Sequence, residues 1–404
     1  MYSGGAFRPI VIQESSVKKK IIAAIAVIVL LFSSCSAAPA AKVDTDNFKT
    51  NYKYIFVHGL SGWGSYDTAN KFVKYWGVQN GDLLKYLNEA GFDCYAASVA
   101  PTGSAWDRAC ELYAQLTGSV TDYGEEHSKR CNHGRYGPDF TKKPLIDKWD
   151  SENKINLLGH SFGGATVRLL AELMANGSKA EQSAAKKEEL SPLFEGGKGD
   201  WIYSITALAA PHNGTSAYNA GDAADVDDEL TFKQKMMSGI VSGASGDKKD
   251  DRIDSDYASH DLQIDRALEL NKSISTLENT YYFSFPCSST DKAEDGTYRP
   301  DDKITETMFI KSARLMGLCT GKTDGGFEIT EEWLENDGLV NVISARAPFD
   351  APQKEFEEGN VKTGEWNIMP TYRGDHMSLQ GGFFKKNSDV KAFYIKHLTM
   401  INSL

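Results

Sequence analysis

Short apolar runs alternate along this chain with longer segments in which apolar residues recur at helical spacing. Residues 155–158 form one such run and predict a buried strand, and apolar residues over 167–174 then recur on one side of a predicted helix. Further strands are predicted at 54–57, 92–99, 202–209 and 281–285, and further helices at 82–90 and 390–401. Alternating strands and helices predict a mostly parallel sheet covered by helices on both faces.

The turn between strand 155–158 and its helix has the sequence Gly159-His160-Ser161-Phe162-Gly163. This is the G-x-S-x-G pattern of a nucleophile elbow, in which a serine hydroxyl is exposed at the start of a helix. The strained turn brings strand and helix close together, so the flanking positions favour glycine. The pattern alone is weak, and its position between a strand and a helix is what favours a catalytic Ser161.

Four histidines follow Ser161 along the chain, namely His212, His260, His376 and His397. In an α/β-hydrolase, the fold in which this serine turn occurs, the catalytic acid and then the histidine follow the serine along the chain. His397 falls inside the last predicted helix, and His212 and His260 precede strand 281–285, after which the acid is expected. His376, in a loop, is therefore the predicted base.

The predicted acid is Asp337, which lies in a turn ahead of an apolar stretch. Spacing alone leaves Asp324 and Glu335 open as alternatives. An apolar strand at 54–57 also runs into a glycine-rich turn, where the residue after His58-Gly59 would give one oxyanion N–H. That residue is Leu60, and the second N–H would come from Phe162; the alternative for Leu60 is an ordinary strand-to-loop turn.

Residues 1–35 read as an export signal. Three lysines at 18–20 precede an apolar run of 12 residues at 21–32, which is too short for a bilayer span of about 20 residues. Cys35 resembles the lipidated cysteine of bacterial lipoproteins, which would anchor the protein to a membrane; the alternative is ordinary cleavage near Ala38. Residues 36–50 are predicted to be a flexible tether.

Removing residues 1–34 leaves 40 basic and 54 acidic residues, a net charge of −14. Such an acidic protein is a poor candidate for binding nucleic acid or anionic lipid surfaces, so a neutral substrate is expected. Beyond Cys35 the five widely spaced cysteines do not form a disulfide framework. We interpret them mostly as buried apolar residues, with one disulfide left open.

Two histidines six residues apart, His127 and His133, lie in the segment 101–150. They do not share a helix face, which excludes an H-E-x-x-H site. The residues alone leave two readings open: a metal held across a turn, or two polar loop side chains.

Four segments resemble the thermoalkalophilic bacterial lipases, which are secreted α/β-hydrolases with an embedded zinc subdomain. They are the segments 58–64 (HGLSGWG), 106–116 (WDRACELYAQL), 191–197 (SPLFEGG) and 333–338 (WLENDG). The resemblance implies Ser161, Asp337 and His376 as the triad and so selects Asp337 among the acids. It implies a catalytic domain over residues 51–404 with a zinc subdomain inserted at about 101–150 and completed by about 215–265.

The resemblance also implies zinc held by Asp107, His127, His133 and Asp261. Four protein ligands leave no open position, so the zinc would be structural. The family's calcium site is expected to be absent, because Ser378 and the phenylalanines at 383–384 replace its ligands. The segment between 211 and 261 is shorter than in the family, and the apolar stripe over 229–241 is interpreted as a reduced lid or as a core-facing helix.

Together these features predict an exported serine lipase acting on acylglycerol esters. A shorter-chain carboxylesterase is the nearest alternative. A non-catalytic lipid-binding envelope lipoprotein on a hydrolase scaffold is the alternative from another class, and the complete triad disfavours it.

Overall fold

The computed structural model of the protein describes residues 40–220, 252–383 and 387–404. Within these ranges the strands are β1 (Lys53–Val57), β2 (Cys94–Ala97), β3 (Val120–Asp122), β4 (Tyr136–Asp139), β5 (Ile155–His160), β6 (Ile202–Leu208), β7 (Tyr281–Phe285), β8 (Cys287–Ser288), β9 (Thr290–Lys292), β10 (Tyr298–Pro300), β11 (Gly321–Lys322), β12 (Glu328–Ile329), β13 (Gln353–Glu355), β14 (Trp366–Ile368) and β15 (Tyr372–Arg373).

The α-helices of the same ranges are α1 (Leu83–Ala90), α2 (Ala105–Thr117), α3 (Glu125–Cys131), α4 (Gly163–Asn176), α5 (Lys179–Ala184), α6 (Pro192–Glu195), α7 (Ala217–Ala220), α8 (Ala258–Asp261), α9 (Ile264–Asn271), α10 (Ile310–Met316), α11 (Val342–Arg346) and α12 (Val390–Asn402).

Seven strands form one sheet in the order β13-β14-β7-β6-β5-β1-β2. Every neighbouring pair in it is parallel. Four two-stranded sheets lie outside it: β3-β4, β8-β15, β9-β10 and β11-β12. The predicted mostly parallel sheet is therefore confirmed.

Helices cover both faces of this sheet, because its strands carry apolar side chains on both sides. On one face Ile55 and Val57 of β1 pack in one core with α2 and α4. On the other face Tyr54 and Phe56 pack in a second core with α1 and α12. Because successive side chains of β1 point to opposite faces, this one strand contributes to both cores.

The two strands that precede the predicted site residues end side by side. β1 pairs with β5 in a register that places Val57 opposite Gly159. The residues that follow each strand, His58-Gly59 after β1 and Ser161 after β5, therefore emerge at the same carboxyl edge. Loops at this edge are the usual place for a site in an open α/β sheet.

The five predicted core strands all form, with ends shifted by at most two residues. Helix α1 begins after Asp82, whose side chain accepts from the N–H of Lys85, and ends at Gly91 with a φ of 115°. Strands β13 and β14 were not predicted. Each has three residues, too few for a periodic pattern to show.

Several predictions fall outside the described residues: the export signal, Cys35, the stripe at 229–241 and Phe384. The predicted tether is described from Ala40 onward, where Val43 and Phe48 pack against the domain. Among the described helices, none combines the length and apolar content that crossing a bilayer requires. Cys94, Cys110, Cys131, Cys287 and Cys319 carry free thiols, and all except Cys319 are buried.

Candidate active site and metal cluster

Ser161 occupies a strained turn between β5 and α4. Its φ of 55° lies in the left-handed region, which side chains with a Cβ rarely adopt. A Cβ added to Gly159 would lie 2.4 Å from the backbone of Gly163, and one added to Gly163 would lie 2.4 Å from the carbonyl oxygen of Val57. The two glycines of the motif are therefore required by the close approach of strand and helix.

Ser161, His376 and Asp337 meet in one hydrogen-bonded line. The Ser161 Oγ lies 2.8 Å from Nε2 of His376, and Nδ1 of His376 lies 2.9 Å from Oδ2 of Asp337. The second carboxylate oxygen of Asp337 accepts from the backbone N–H groups of Leu339 and Val340 at 2.9 and 2.7 Å. All three side chains are buried. This geometry sets the imidazole to accept the serine proton while the carboxylate holds its Nδ1–H.

The alternatives to these residues lie elsewhere. Asp324 is exposed, and Glu335 is only partly buried. Nδ1 of His212 faces the guanidinium of Arg168 at 3.4 Å. His397 is a packing residue, as expected for its helix, with Nε2 2.8 Å from the Thr206 hydroxyl.

The loop after β1 lies directly against the nucleophile. A Cβ added to Gly59 would lie 2.7 Å from the Cβ of Ser161. Arg108 of α2 holds this loop: its guanidinium donates to the carbonyl oxygens of His58 and Gly59 and lies 5.2 Å from the ring centre of Phe162. Arg108 therefore contacts both predicted oxyanion segments, the loop that precedes Leu60 and the side chain of Phe162. Arg108 lies within the 106–116 motif, but no sequence pattern indicated this role.

A second network joins three loops of the site through Tyr75. Nε2 of His160 lies 2.8 Å from the carbonyl oxygen of His376, so this nitrogen carries the proton and donates. Nδ1 of His160 therefore accepts from the Tyr75 hydroxyl at 2.6 Å, and that hydroxyl accepts from the N–H of Gly59 at 3.1 Å. No pattern in the sequence indicated Tyr75.

Burial keeps the imidazoles around the triad neutral. It lowers the pKa of both His58 and His160 to about 3. Burial also raises the pKa of Asp375, the residue before His376, to about 6. The triad thus sits in a poorly hydrated setting, where hydrogen bonds to a developing charge are strong.

The predicted metal ligands Asp107, His127 and His133 come together. Nε2 of His127 lies 3.1 Å from Oδ1 of Asp107, and Nε2 of His133 lies 3.8 Å from the same oxygen. Asp256 faces both imidazoles, at 3.2 Å from His127 and 3.3 Å from His133. Donors about 2 Å from a tetrahedral zinc lie about 3.3 Å from one another, so these separations fit that ion.

Asp261 does not join this cluster, contrary to the sequence prediction. Its carboxylate accepts from the N–H of Ala105 at 2.8 Å at the start of α2, and it lies 3.5 Å from Nδ1 of its neighbour His260. Asp256, five residues earlier, fills the position instead. The surroundings of Asp261 matched the family poorly, and a second aspartate this close along the chain was not separable from it by sequence.

The cluster contains buried polar atoms without protein hydrogen bonds. They include Nε2 of His133 and both carboxylate oxygens of Asp256. Nδ1 of His133 lies 2.8 Å from the carbonyl oxygen of Gly134, a bond that leaves the Nε2 lone pair free to bind a cation. Such atoms are costly to bury unless an ion or water satisfies them, so the donor set fits a metal.

Cys131 also lies close enough to contribute a donor. One donor atom each from His127, Cys131, His133 and Asp256 fall within 4.8 Å of one another. The Cys131 Sγ, however, approaches Nδ1 of His127 at 3.8 Å, whereas both carboxylates approach Nε2. Since one imidazole nitrogen faces one ion, Asp107 fits the fourth position better than Cys131.

Comparison with known proteins places the chain among bacterial lipases. The family model described as "Lipase-like, C-terminal domain" matches residues 50–254 and 247–400. A lipase of Staphylococcus epidermidis is 32% identical over 368 residues, covering 83% of this chain and 50% of the relative. The chain thus spans about half the length of the curated relatives that it matches.

Two solved structures have the same fold over nearly their whole length. EstA from Clostridium botulinum has a TM-score of 0.78 and 31% identity, covering 95% of this chain and 98% of the other. The Staphylococcus hyicus lipase has a TM-score of 0.72 and 28% identity, covering 89% and 98%. The predicted α/β-hydrolase fold is therefore confirmed, and the chain belongs to the family of bacterial lipases that its motifs resembled.

Proposed function

We propose that this protein is an exported serine ester hydrolase of the lipase type, which cleaves acylglycerol esters through an acyl-enzyme. The observation that carries the proposal is the buried line from the Ser161 hydroxyl through His376 to Asp337. The names of its relatives, lipase in Staphylococcus epidermidis and Staphylococcus hyicus, support the same reaction class. The acidic net charge fits a neutral ester lipid substrate and disfavours nucleic acid.

In the proposed reaction the Ser161 Oγ attacks the ester carbonyl while Nε2 of His376 takes its proton. Asp337 stabilises the resulting imidazolium, and the N–H groups of Leu60 and Phe162 hold the oxyanion. His376 then gives the proton to the leaving alcohol, and the acyl-enzyme remains. A water, deprotonated by the same imidazole, attacks the acyl carbonyl; the returned proton restores Ser161 and releases the fatty acid.

The proposed metal is a structural zinc held by Asp107, His127, His133 and Asp256, which replaces Asp261 in the ligand set. These donors come from α2, α3, the turn after α3 and the segment before α8. A bound ion would supply a cross-link between those segments and no open coordination position for substrate. The absence of the family's calcium site stays a prediction; in this chain the Ser378 hydroxyl donates to Asp375 at 3.0 Å.

Export rests on residues 1–35, and the proposal includes anchoring through a lipidated Cys35. Mass spectrometry of the mature N-terminus distinguishes a diacylglyceryl cysteine at position 35 from an unmodified N-terminus near Ala38. Recovery of uncleaved protein in the cytoplasm only would contradict export.

The experiment that tests the function is a 4-nitrophenyl ester series from butanoate to hexadecanoate, with a triacylglycerol emulsion beside it. Hydrolysis of the long esters and the emulsion is expected, and activity confined to short esters would make the protein a carboxylesterase instead. Ser161→Ala should abolish turnover and labelling by a fluorophosphonate probe while the melting temperature changes little. A wild-type protein that neither hydrolyses an ester nor takes the label would refute the triad and leave the non-catalytic lipoprotein.

A further inference from the structure

A cavity of about 140 Å³ lies away from the triad, between α4, the segment after α9 and the starts of three sheet strands. Tyr282, the second residue of β7, and Trp366, the first residue of β14, line it, and Ala351 lies just before β13. The sheet register places Trp366 and Tyr282 level with Ile205 of β6 and Leu157 of β5. Because Ser161 follows the carboxyl end of β5, the cavity is displaced from the proposed active site toward the amino ends of the strands.

The cavity contains a buried positive charge. Arg168 of α4 lines it and is only 4% exposed. Its Nη2 donates to Oδ1 of Asn271 at 2.8 Å, and its Nη1 lies 3.4 Å from Nδ1 of His212. Both partners are neutral, since burial and the nearby Arg168 lower the pKa of His212 far below its usual value. Within residues 40–220, 252–383 and 387–404, no carboxylate forms an ion pair with Arg168.

The neighbours of Arg168 are fixed in roles that leave its charge uncompensated. The side-chain N–H₂ of Asn271 donates to the carbonyl oxygen of His212 and to Oδ1 of Asn213, which turns its own oxygen to the guanidinium. Burial lowers the pKa of Arg168 only to about 10, so the side chain stays protonated near neutral pH. A buried charge with no counter-charge is costly, because its desolvation is not repaid.

The other residues that line the cavity favour an anion that also carries an apolar part. The Tyr282 hydroxyl accepts from the N–H of Leu277 at 3.0 Å and keeps its own hydrogen to donate. Ile274, Ala351 and Trp366 supply apolar and aromatic walls. The one acid on the lining, Asp350, is exposed to solvent and so repels an internal anion only weakly.

We propose that this cavity binds a short-chain carboxylate, with the carboxylate group on the Arg168 guanidinium and the alkyl chain against Trp366 and Ala351. A guanidinium matches the two oxygens of a carboxylate, which makes this the strongest pairing the site offers. A cavity of about 150 Å³ holds a molecule of benzene size, so an occupant of about six heavy atoms, such as butanoate, fits. The site is separate from the reaction centre and does not depend on the proposed function.

The test is calorimetric titration of the full chain with sodium butanoate, with sodium chloride and sodium phosphate at matched ionic strength as the comparison. We expect one site with a dissociation constant on the order of 1 mM. Arg168→Met should weaken binding at least about tenfold, because it removes the charge and keeps the bulk. Octanoate is too long for the cavity, so any binding that it shows should be the same in the wild type and in Arg168→Met.

Two alanine variants keep the guanidinium and test whether the space inside the cavity is needed. Ala351→Phe fills the cavity and should abolish butanoate binding, whereas Ala293→Phe, in the turn between β9 and β10, should bind like the wild type. Undiminished binding in Ala351→Phe would mean that the carboxylate binds at another site, for example at the proposed oxyanion donors. That result would overturn the proposal. Equal heats for butanoate and chloride would also overturn it. Ester hydrolysis measured on the same samples is expected to survive in Ala351→Phe, so loss of the anion site and failure of the proposed reaction are told apart.

Discussion

Replacing Tyr75 with phenylalanine tests whether the hydrogen-bond network beside the proposed triad positions His376, the proposed catalytic histidine. The change removes one oxygen that serves two buried partners, the N–H of Gly59 at 3.1 Å and Nδ1 of His160 at 2.6 Å. Each buried group left without a partner costs about 1–3 kcal/mol, so the loss of both bonds should lower the free energy of unfolding by about 2–6 kcal/mol.

The same change should slow the reaction more than it weakens substrate binding. His160 donates to the backbone carbonyl of His376, and Gly59 precedes the proposed oxyanion donor Leu60, so both halves of the proposed site lose a restraint. Small displacements of reacting groups cost one to two orders of magnitude, and we expect kcat to fall about ten- to a hundredfold with little change in KM. The assay is steady-state hydrolysis of a soluble 4-nitrophenyl ester beside urea denaturation of the same variant.

Tyr54→Phe is the matched control. The Tyr54 hydroxyl is equally buried and also has two partners, the carbonyl oxygen of Leu398 at 3.0 Å and Oδ1 of Asn402 at 2.5 Å, but it lies far from the triad. It should lose comparable stability and keep its kcat. If Tyr75→Phe is destabilised like Tyr54→Phe yet turns over at the wild-type rate, the network is structural only and the positioning argument fails.

Three further predictions concern the metal, the pH and the oxyanion loop. Asp256→Asn should lose bound zinc and melt at a lower temperature, whereas Asp261→Asn should keep its zinc. The reverse pattern in a metal analysis would identify Asp261 as the fourth ligand in place of Asp256. His397 is buried and neutral, and burial lowers its pKa to about 3. Its contribution to stability is therefore complete above the unfolded pKa near 6.5 and is lost as the pH falls, by about 2 kcal/mol between pH 7 and pH 5. Urea denaturation at the two pH values should show a shallower loss for His397→Gln, and parallel losses would contradict the assignment. Arg108→Lys keeps the charge but loses the planar fork that holds two loop carbonyls, so kcat should fall about tenfold in the ester assay, and a change below twofold would speak against that role.

The parts of the fold that repeat a pattern were predictable from sequence. A strand such as β5 shows as an unbroken apolar run, and helix α1 carries both a capping Asp82 and a terminal Gly91. The chain order of serine, acid and histidine then selected His376. Strands β13 and β14 are too short to show a period, and only the pairing of β14 with β7 and of β13 with β14 makes them strands.

The supporting residues of the site were not predictable because their roles depend on the folded arrangement. Tyr75 and Arg108 act through contacts with backbone groups distant in sequence, and no spacing rule describes such a contact. Asp256 and Asp261 lie five residues apart, and only the folded arrangement decides which carboxylate faces the histidines. Family resemblance indicated the segment but not which of its two aspartates lies in the cluster.

Asp107 and Arg108 are consecutive residues in the first turn of α2, yet they serve different parts of the molecule. Asp107 faces the histidine–aspartate cluster, while Arg108 reaches the loop beside the nucleophile. Because one peptide unit joins them, a displacement of this turn moves both sets of contacts together. We therefore expect substitutions that shift this turn to change heat resistance and turnover at the same time.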